Sequence, residues 1–366
     1  MRRIFFDHQK FSTQKFGGIS RYFANIIGAI KENPDFDYLL GVANSDNFYI
    51  KDEQIPLNNA LANQLLKSEF GFRRFRLNEL YSKYLLGKNK FDVFHPTYYD
   101  PYFIKYLRKP MVTTIHDMTY ERLPAYFWVQ DPLTSQKRIS AQRADKIIAI
   151  SETTKQDLVE ILEVDERKIE VIYHGIDVFS PLALEPISNL PQNYVFFVGD
   201  RGGYKNFYLL LDAFALLANK HPDLHLVLAG GGKLVGADVE IINRKKLNTR
   251  VHHFQANDAQ LNYLYQQAKL FVYPSLYEGF GLPILEAFKA KCPILLSDTA
   301  CFKEIAQDAA LFFGKHALDD LVYKIEQMLG DEVLRKNLIK KGTERLAHFP
   351  IEKSMEQTLN VYRELC

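Results

Sequence analysis

Two carboxylates around a glycine-containing loop form the strongest chemical pattern in this sequence. The run Glu278-Gly279-Phe280-Gly281-Leu282 follows a short apolar segment, Phe271 to Tyr273, and Glu286 lies about one turn into a helix that Pro283 is predicted to begin. Glycines let a backbone approach a ligand closely, and the unpaired amides of a helix N-terminus favour an anion such as phosphate. Carboxylates accept hydrogen bonds from the hydroxyls of a sugar or a ribose. The pattern is consistent with a sugar-phosphate site, although residue types alone favour the plainer alternative of an ordinary strand–loop–helix connection.

A second glycine-containing loop, Gly199 to Asn206, carries two basic residues, Arg201 and Lys205. Both can reach a diphosphate, Arg through a planar fork of donors and Lys as a point charge. A helix predicted to start at Asn206 would end the loop in amides, whereas the alternative is a flexible basic surface turn. The glycines Gly230 to Gly232 do not complete a G-x-G-x-x-G motif, because Val235 occupies its last position, so no dinucleotide cofactor is predicted.

Further residues that could bind a ligand or take part in chemistry follow apolar segments in the first half of the chain. They are Gly17, Gly18, Arg21, His95, Tyr98, His116 and Asp117. Parallel sheets bind ligands beyond the carboxyl ends of their strands, which is where His116 and its neighbour Asp117 are predicted to lie. A lone histidine is more often structural, and His95 is the weaker of the two candidates.

Short apolar segments alternate with segments of helical period along the whole chain. This alternation predicts an α/β protein whose parallel sheets are covered by helices on both faces. A segment with three prolines between Asp177 and Gln192 predicts a linker. We therefore expect two doubly wound domains, residues 1–180 and 181–348, with a cleft between the carboxyl ends of their sheets and a terminal helix within 349–366. The predicted strands are Ile4–Phe6, Tyr38–Val42, Val93–Phe94, Val112–Ile115, Ile147–Ile150, Tyr194–Val198, Leu224–Ala229, Leu270–Tyr273, Ile294–Leu296 and Leu311–Phe313.

Composition excludes several classes of protein. A chain of 366 residues with 47% hydrophobic and 25% charged residues is typical of a soluble globular protein, and a net charge of +2 argues against a nucleic-acid partner. Three separated cysteines fit a reducing compartment, and no apolar run reaches the length of a signal peptide or membrane span. The prediction is a cytoplasmic protein, or one held peripherally at the inner face of a membrane. No metal site is predicted, because the histidines lack partners at ligand spacing and Asp35-Phe36-Asp37 has the position of a turn.

The segment from Lys67 to Lys90 is basic and rich in aromatic residues, with a net charge of +5 from seven basic and two acidic residues. One interpretation is contact with an anionic membrane or with the diphosphate of a lipid-linked acceptor. The alternative is a solvated helical face whose aromatic residues pack inward. Both interpretations stay open from the sequence.

Taken in order, these motifs resemble those of the retaining glycosyltransferases of family 4, which have the GT-B architecture. Glu278 and Glu286 form the E-x7-E signature of that family, and EGFGLPILEA matches its motif nearly letter for letter. Gly17-Gly18, the I-H-D segment that contains His116, and Lys205 match in the same order. Arg201 lies further from the first glycine of its loop than in many members, and His174 stands where Asn is common.

The resemblance implies an activity and its partners. The expected reaction moves a hexose-type sugar from a nucleotide-diphosphate donor to a glycan or lipid-linked acceptor in cell-surface polysaccharide synthesis, retaining anomeric configuration and using no metal or other cofactor. It also implies that the first domain binds the acceptor, that the second binds the donor, and that the terminal helix crosses back to the first domain.

The resemblance also implies roles for particular residues. The implied catalytic residues are His116, Glu278, Lys205 and Arg201. The implied donor-binding residues are Gly17, Gly18, Gly230, Phe254, Gly279, Phe280, Gly281, Leu282 and Glu286. The implied acceptor-binding residues are Arg21, His95 and Tyr98.

Two other functions remain open at this stage. One is a nucleotide-sugar 2-epimerase of the same architecture, and the other is a non-catalytic protein that binds sugar nucleotides. The sequence names neither the donor sugar and its base nor the acceptor, the linkage or the oligomeric state.

Overall fold

The computed structural model describes residues 1–66 and 72–366. The chain forms two compact units. The first contains Met1–Glu121, Phe127–Tyr173 and Glu352–Cys366, and the second contains Arg122–Tyr126 and His174–Ile351. The proline-rich segment predicted as a linker lies within the second unit, where the Glu185 carboxylate accepts hydrogen bonds from Asn257 at 2.9 Å and Gln260 at 2.8 Å.

The first unit is built on six parallel strands. They are β1 (Arg2–Phe6), β2 (Phe36–Leu40), β3 (Val93–His95), β4 (Val112–Ile115), β5 (Lys146–Ala149) and β6 (Ile169–Val171). Their order is β2-β1-β3 followed by β4-β5-β6, and a parallel bridge between Phe94 and Met111 joins the two groups. β1 has β2 on one side and β3 on the other, so a topological switch point lies between β1 and β3.

Helices connect these strands. They are α1 (Gln9–Thr13), α2 (Gly18–Lys31), α3 (Ala60–Leu66), α4 (Phe72–Lys88), α5 (Thr119–Arg122), α6 (Leu133–Arg143) and α7 (Glu152–Leu162). Ser151 caps α7, because its Oγ accepts a hydrogen bond from the Thr154 amide at 3.0 Å.

The second unit contains one sheet of six parallel strands. They are β7 (Tyr194–Val198), β8 (His225–Ala229), β9 (Val251–Phe254), β10 (Leu270–Tyr273), β11 (Ile294–Ser297) and β12 (Leu311–Phe313). The order β12-β11-β10-β7-β8-β9 places the switch point between β7 and β10. The loop that follows β7 is Gly199 to Asn206, the basic loop, and the loop that follows β10 contains Glu278. The topology therefore brings the two strongest sequence motifs together.

The helices of the second unit cover both faces of this sheet. They are α8 (Phe207–Lys220), α9 (Gly236–Arg244), α10 (Asp258–Gln267), α11 (Leu282–Lys289), α12 (Ala300–Ala306), α13 (Leu318–Gly330) and α14 (Glu332–Leu346). The side chains of Phe197 and Leu226 pack with Phe207, Phe214 and Leu321 in a continuous apolar core. α11 begins at Leu282, so Pro283 occupies the second helical position rather than the predicted first one.

A final helix, α15 (Ile351–Leu365), lies within the predicted range 349–366, and its residues from Glu352 onward belong to the first unit. Tyr362 is fully buried there, and Glu364 pairs with Lys146 at 2.7 Å. The described part of the chain contains no helix that is long and apolar enough to cross a membrane.

Candidate active site

An ion pair between Lys205 and Glu278 lies at the switch point of the second unit. Lys205 Nζ donates a hydrogen bond to Glu278 Oε1 at 2.6 Å, and the two side chains are 16% and 13% exposed. The ammonium group also lies 5.1 Å from the ring centre of Tyr204 and 5.7 Å from that of Tyr273. The loops are joined directly as well, because the Leu276 amide donates to the Tyr204 carbonyl at 2.8 Å.

The charge state of Lys205 follows from these neighbours. Burial by itself lowers the pKa of Lys205, but the Glu278 carboxylate and the two tyrosines outweigh burial and hold that pKa well above its ordinary value. Lys205 is therefore a fixed positive charge that donates a hydrogen bond to the Glu278 carboxylate. The same carboxylate can also accept hydrogen bonds from hydroxyl groups.

The glycine-containing loop before α11 is supported from several directions. Gly281 has φ of 96°, and a Cβ atom there would approach Phe302 to 3.0 Å and Ile284 to 3.1 Å, so both its backbone angle and the available space favour glycine. The carbonyl of the buried Phe280 accepts a hydrogen bond from Cys301 Sγ at 3.2 Å, and the Phe280 ring lies edge-on to His174 at 5.3 Å. Gly279 is buried in the same loop, so the backbone between Glu278 and Leu282 is held in one conformation.

Glu286 has a buried partner that the sequence did not indicate. Tyr265 is fully buried on α10, and its hydroxyl donates to Glu286 Oε2 at 3.1 Å. Burial and the adjacent Glu286 carboxylate raise the pKa of Tyr265 well above its ordinary value, so the phenol remains a hydrogen-bond donor. Tyr265 thus orients the second carboxylate of the motif, and no local pattern in the sequence connects two residues 21 positions apart on different helices.

Arg201 differs from its predicted environment. Its guanidinium is 6% exposed and bonds to Asp238 through Nε at 2.9 Å. The same group donates to the backbone carbonyls of Gly230, Gly231, Gly232 and Lys233. These contacts occupy the donors that a diphosphate would need. The geometry therefore favours a role for Arg201 in holding the turn from Gly230 to Lys233, the glycine turn, over the direct phosphate contact implied by the resemblance.

Gly230 and Phe254 lie at the carboxyl ends of β8 and β9. Gly230 has φ of 76°, and a Cβ atom there would lie 3.3 Å from the Gly199 amide nitrogen. The Gly199 amide in turn donates to the Ala229 carbonyl at 3.0 Å, which keeps the first glycine of the basic loop beside the glycine turn. Phe254 pairs with Ala229 in the sheet and is half-buried. Both residues therefore lie at the sheet edge that carries Lys205.

In the first unit, His116 directly follows β4 and is half-buried. Its backbone amide donates to the Tyr99 hydroxyl at 3.0 Å, and its ring lies edge-on to Tyr22 at 5.4 Å. Asp117 accepts a hydrogen bond from the Thr119 amide at 2.9 Å, and the buried Lys137 donates to the Asp117 carbonyl at 2.9 Å. Hydrogen bonds on both sides thus hold the backbone that presents the His116 ring.

The predicted glycine pair begins α2. Gly17 caps this helix and Gly18 is its first residue, while Ser20 Oγ donates to the Gly17 carbonyl at 3.0 Å. A Cβ atom on Gly17 would lie 2.4 Å from the amide group of Gln14, a flexible side chain. Arg21 is exposed in the first turn of the helix.

His95 does not have the position of an acceptor ligand. Its side chain is completely buried, with Nδ1 2.7 Å from the Tyr362 hydroxyl and Nε2 3.0 Å from the Thr114 hydroxyl. Burial lowers the pKa of His95 to about 3, so the ring is neutral. Because Nδ1 is engaged by Tyr362 of α15 and Nε2 by Thr114 of β4, the geometry favours a structural role for His95 over the implied acceptor contact. Tyr98, in contrast, is half-buried beyond the end of β3.

The basic segment is described only in part, since residues 67–71 lie outside the described residues. On α4, Arg74 pairs with Asp46 at 2.5 Å, and Glu79 pairs with Arg76 at 3.2 Å and Lys83 at 2.5 Å. Much of the positive charge on this helix is therefore compensated within the first unit. Among the described residues, no three His, Cys, Asp or Glu side chains are grouped so that they could hold a metal ion.

Two family models match successive halves of the chain. The model described as Glycosyltransferase Family 4 matches residues 16–178, and the model described as Glycosyl transferases group 1 matches residues 185–345. Among curated proteins, the O-antigen chain mannosyltransferase B of Escherichia coli is 26% identical over 288 residues, which cover 75% of this chain and 74% of that protein. The O-antigen chain mannosyltransferase RfbU of Salmonella typhimurium is 25% identical over 241 residues, 63% of this chain and 65% of that protein.

Solved structures share the whole architecture. Sucrose-phosphate synthase from Thermosynechococcus elongatus has a TM-score of 0.77 at 18% identity, covering 100% of this chain and 99% of its own. Alr3699/HepE of Anabaena, solved in complex with UDP and glucose, has a TM-score of 0.76 at 17% identity and covers 100% of both chains. At this level of identity the likeness concerns the fold alone.

Proposed function

We propose that this chain, a glycosyltransferase with the GT-B fold, transfers a hexose-type sugar from a nucleotide-diphosphate donor to a glycan or lipid-linked acceptor. The reaction retains anomeric configuration, needs no metal ion, and contributes to a cell-surface polysaccharide, as the names of the O-antigen relatives suggest. The observation that carries the proposal is the Lys205–Glu278 contact of 2.6 Å at the switch point between β7 and β10.

The donor is bound by the second unit. Its diphosphate takes the Lys205 ammonium as a partner in place of Glu278, and the N-terminus of α11 adds favourable partial charge. Glu278, released from Lys205, accepts hydrogen bonds from the donor sugar, while Glu286 accepts them from the ribose. The Tyr265 hydroxyl, 3.1 Å from Glu286, fixes the direction of that second carboxylate.

The chemical step requires stabilisation of the charge that develops on the leaving diphosphate. The protein itself places Lys205 and keeps it charged, so the electrostatic contribution of Lys205 costs little reorganisation during the reaction. The acceptor is bound by the first unit, and the family resemblance assigns a catalytic role to His116 of that unit. The acceptor hydroxyl attacks from the face that the diphosphate leaves, and the leaving phosphate oxygen takes its proton.

Arg201 contributes indirectly in this proposal. It fixes the turn from Gly230 to Lys233 through its carbonyl contacts, and the turn in turn lies against Gly199 at the start of the loop that presents Lys205. Arg201 is therefore a positioning residue, and Lys205 alone provides the cationic contact to the diphosphate from this loop.

A substitution of Lys205 tests the proposal. Lys205→Ala should lower kcat by about 10²–10³-fold, the effect of losing one preorganised group that stabilises a developing anion, or ~2.7–4 kcal/mol. The matched control is Lys220→Ala, because Lys220 pairs with Glu326 at 2.8 Å on an exposed part of the same unit. Turnover by Lys205→Ala at the wild-type rate would refute the role of Lys205.

The donor is identified by thermal-shift titrations with UDP, GDP, ADP, dTDP and CDP, each with and without EDTA. A ligand at ~100 times its Kd should stabilise the folded state by ~2.7 kcal/mol. We expect one nucleotide to raise Tm equally in both conditions, and a shift abolished by EDTA would contradict metal independence. Determination of the anomeric configuration of the product then tests retention. Release of an epimerised donor in the absence of acceptor would indicate an isomerase instead.

A further inference from the structure

A lysine that no sequence motif singled out lies at the switch point of the first unit. Lys10 is in α1, directly after β1, and its Nζ lies 3.4 Å from the ring centre of Tyr98, which follows β3. β1 and β3 are neighbours in the sheet, and the topological switch point lies between them. Lys10 therefore lies at the edge where doubly wound sheets bind ligands.

A network of buried hydrogen bonds fixes the two loops that carry Lys10 and Tyr98. The Asp7 carboxylate, fully buried, accepts hydrogen bonds from the Thr97 amide at 2.8 Å and from the Gln9 side chain at 2.8 Å. The Lys10 amide itself donates to the Thr97 hydroxyl at 3.1 Å. The backbone on both sides is thus set before any ligand arrives, which is the condition for a preorganised site.

The Tyr98 ring has a neighbour on each face. Tyr99 stacks on it with ring centres 4.4 Å apart and planes inclined by 30°. Lys10 Nζ, at 3.4 Å from the same centre, must occupy the opposite face because both groups cannot fit on one side. The ring is therefore a support for the ammonium group rather than a platform on which an acceptor sugar could stack.

Lys10 lacks an anionic partner within the described part of the first unit, where no carboxylate lies within 4.0 Å of its Nζ. Burial lowers the pKa of Lys10 to about 8, although the more distant Asp117 carboxylate acts in the opposite direction. A half-buried cation that has lost part of its hydration, and that no carboxylate neutralises, is stabilised most by an incoming anion.

We propose that Lys10, held over Tyr98, forms a subsite for an anionic group of the acceptor, either a phosphate or a carboxylate. The acceptor is accordingly a charged glycan or lipid-linked molecule rather than a neutral sugar. This inference rests on the proposed function for the identity of the ligand as an acceptor, whereas the anion-binding property belongs to the first unit alone.

The test uses soluble probes and the full chain. Binding of inorganic pyrophosphate, glucuronate and neutral glucose is measured by calorimetric titration. The donor site is first saturated with the nucleotide that gives the largest thermal shift. If no nucleotide binds, the titrations use the Lys205→Ala variant as background. The variants are Lys10→Gln, Lys10→Arg and, as a matched control, Lys51→Gln, because exposed Lys51 lies 4.7 Å from the Phe48 ring centre in the same unit. Lys10→Met serves as a second neutral variant should Lys10→Gln fail to fold.

We expect pyrophosphate or glucuronate to bind the wild-type chain, and the neutral Lys10 variants to weaken that binding by roughly tenfold or more, since a charge-assisted hydrogen bond is lost. Lys10→Arg and Lys51→Gln should bind as the wild type does. Preference for pyrophosphate indicates a phosphate-bearing acceptor, and preference for glucuronate indicates an acidic sugar. Equal anion binding by Lys10→Gln and wild type, or none by either, overturns the inference. Nucleotide binding stays unchanged in every Lys10 variant, so failure of the proposed function would appear separately as the absence of any nucleotide shift.

Discussion

Replacement of Arg201 distinguishes a residue that holds the glycine turn from one that contacts the donor. Arg201→Met keeps an unbranched side chain but removes the bond to Asp238 and the contacts to the carbonyls of Gly230 to Lys233. Asp238 is 2% exposed, and the partners that it keeps among the described residues are the Tyr208 hydroxyl at 2.9 Å and the Val235 amide at 3.1 Å. The substitution therefore leaves a buried carboxylate without its cation.

The expected cost is large. Removing one partner of a buried ion pair costs ~3–5 kcal/mol, because the remaining charge stays buried and uncompensated. For a unit of about 150–250 residues, each kcal/mol lowers Tm by ~2–4 °C, so the transition of the second unit should fall by roughly 6–20 °C. Replacing both partners, in Arg201→Met with Asp238→Leu, should restore much of the loss, because no unpaired charge remains.

Differential scanning calorimetry measures this effect, with Arg244→Met as the control. Arg244 pairs with Glu240 at 2.6 Å in the same unit, but both side chains are more than two-thirds exposed, so its loss should change Tm little. Steady-state kinetics on the folded fraction complete the comparison. An Arg201→Met chain that melts within ~2 °C of the wild type yet loses two orders of magnitude in kcat would refute the structural role and support direct contact with the diphosphate.

The remaining predictions concern the donor site, pH and the membrane. Tyr265→Phe should raise the KM for the donor by about tenfold or more with a smaller change in kcat, because Glu286 loses a hydrogen bond to a charged group, and Tyr263→Phe on the same helix is the control. His95 has its folded pKa lowered from 6.5 to about 3, so protonation favours the unfolded state. The free energy of unfolding of the first unit should fall by ~1.4 kcal/mol per pH unit as pH drops from ~6.5 towards ~3, and urea titrations should show a shallower slope for His95→Gln. Flotation with anionic vesicles at low salt should recover the chain if α4 contacts a membrane, and Lys88→Glu should weaken that contact; recovery unaffected by salt or by this substitution would contradict it.

Much of the fold followed from local pattern. Ten strands predicted from short apolar runs are present, and α15 lies within the range predicted for a terminal helix, because burial on both faces leaves a strand apolar and a buried stripe leaves a helix periodic. The strands β6 and β9 were not predicted. Both lie at sheet edges, and β9 carries His252 and His253 in its centre, so neither presents a continuous apolar run.

The candidate site was only partly accessible to the same reasoning. Glu278, Glu286 and Lys205 were found because loop glycines and charged residues concentrate in two short segments. The roles of Arg201 and His95 were taken from the family resemblance. The partners of Arg201 are the Asp238 carboxylate and backbone carbonyls, and those of His95 are the hydroxyls of Thr114 and Tyr362. A side chain's type defines what it can bind, but not which of several suitable partners is nearest.

The sequence by itself determined the class of fold, the glycine loop before α11 and the identity of the two acids, because each depends on residues within one or two turns of the chain. The tertiary structure decided which of these groups meet. Lys205 and Glu278 are 73 positions apart and come together only because β7 and β10 are adjacent in the sheet. Lys10 lies over Tyr98 for the same reason, since β1 pairs with β3. Strand order depends on the packing of the whole unit, so contacts made across it are not encoded in any single segment.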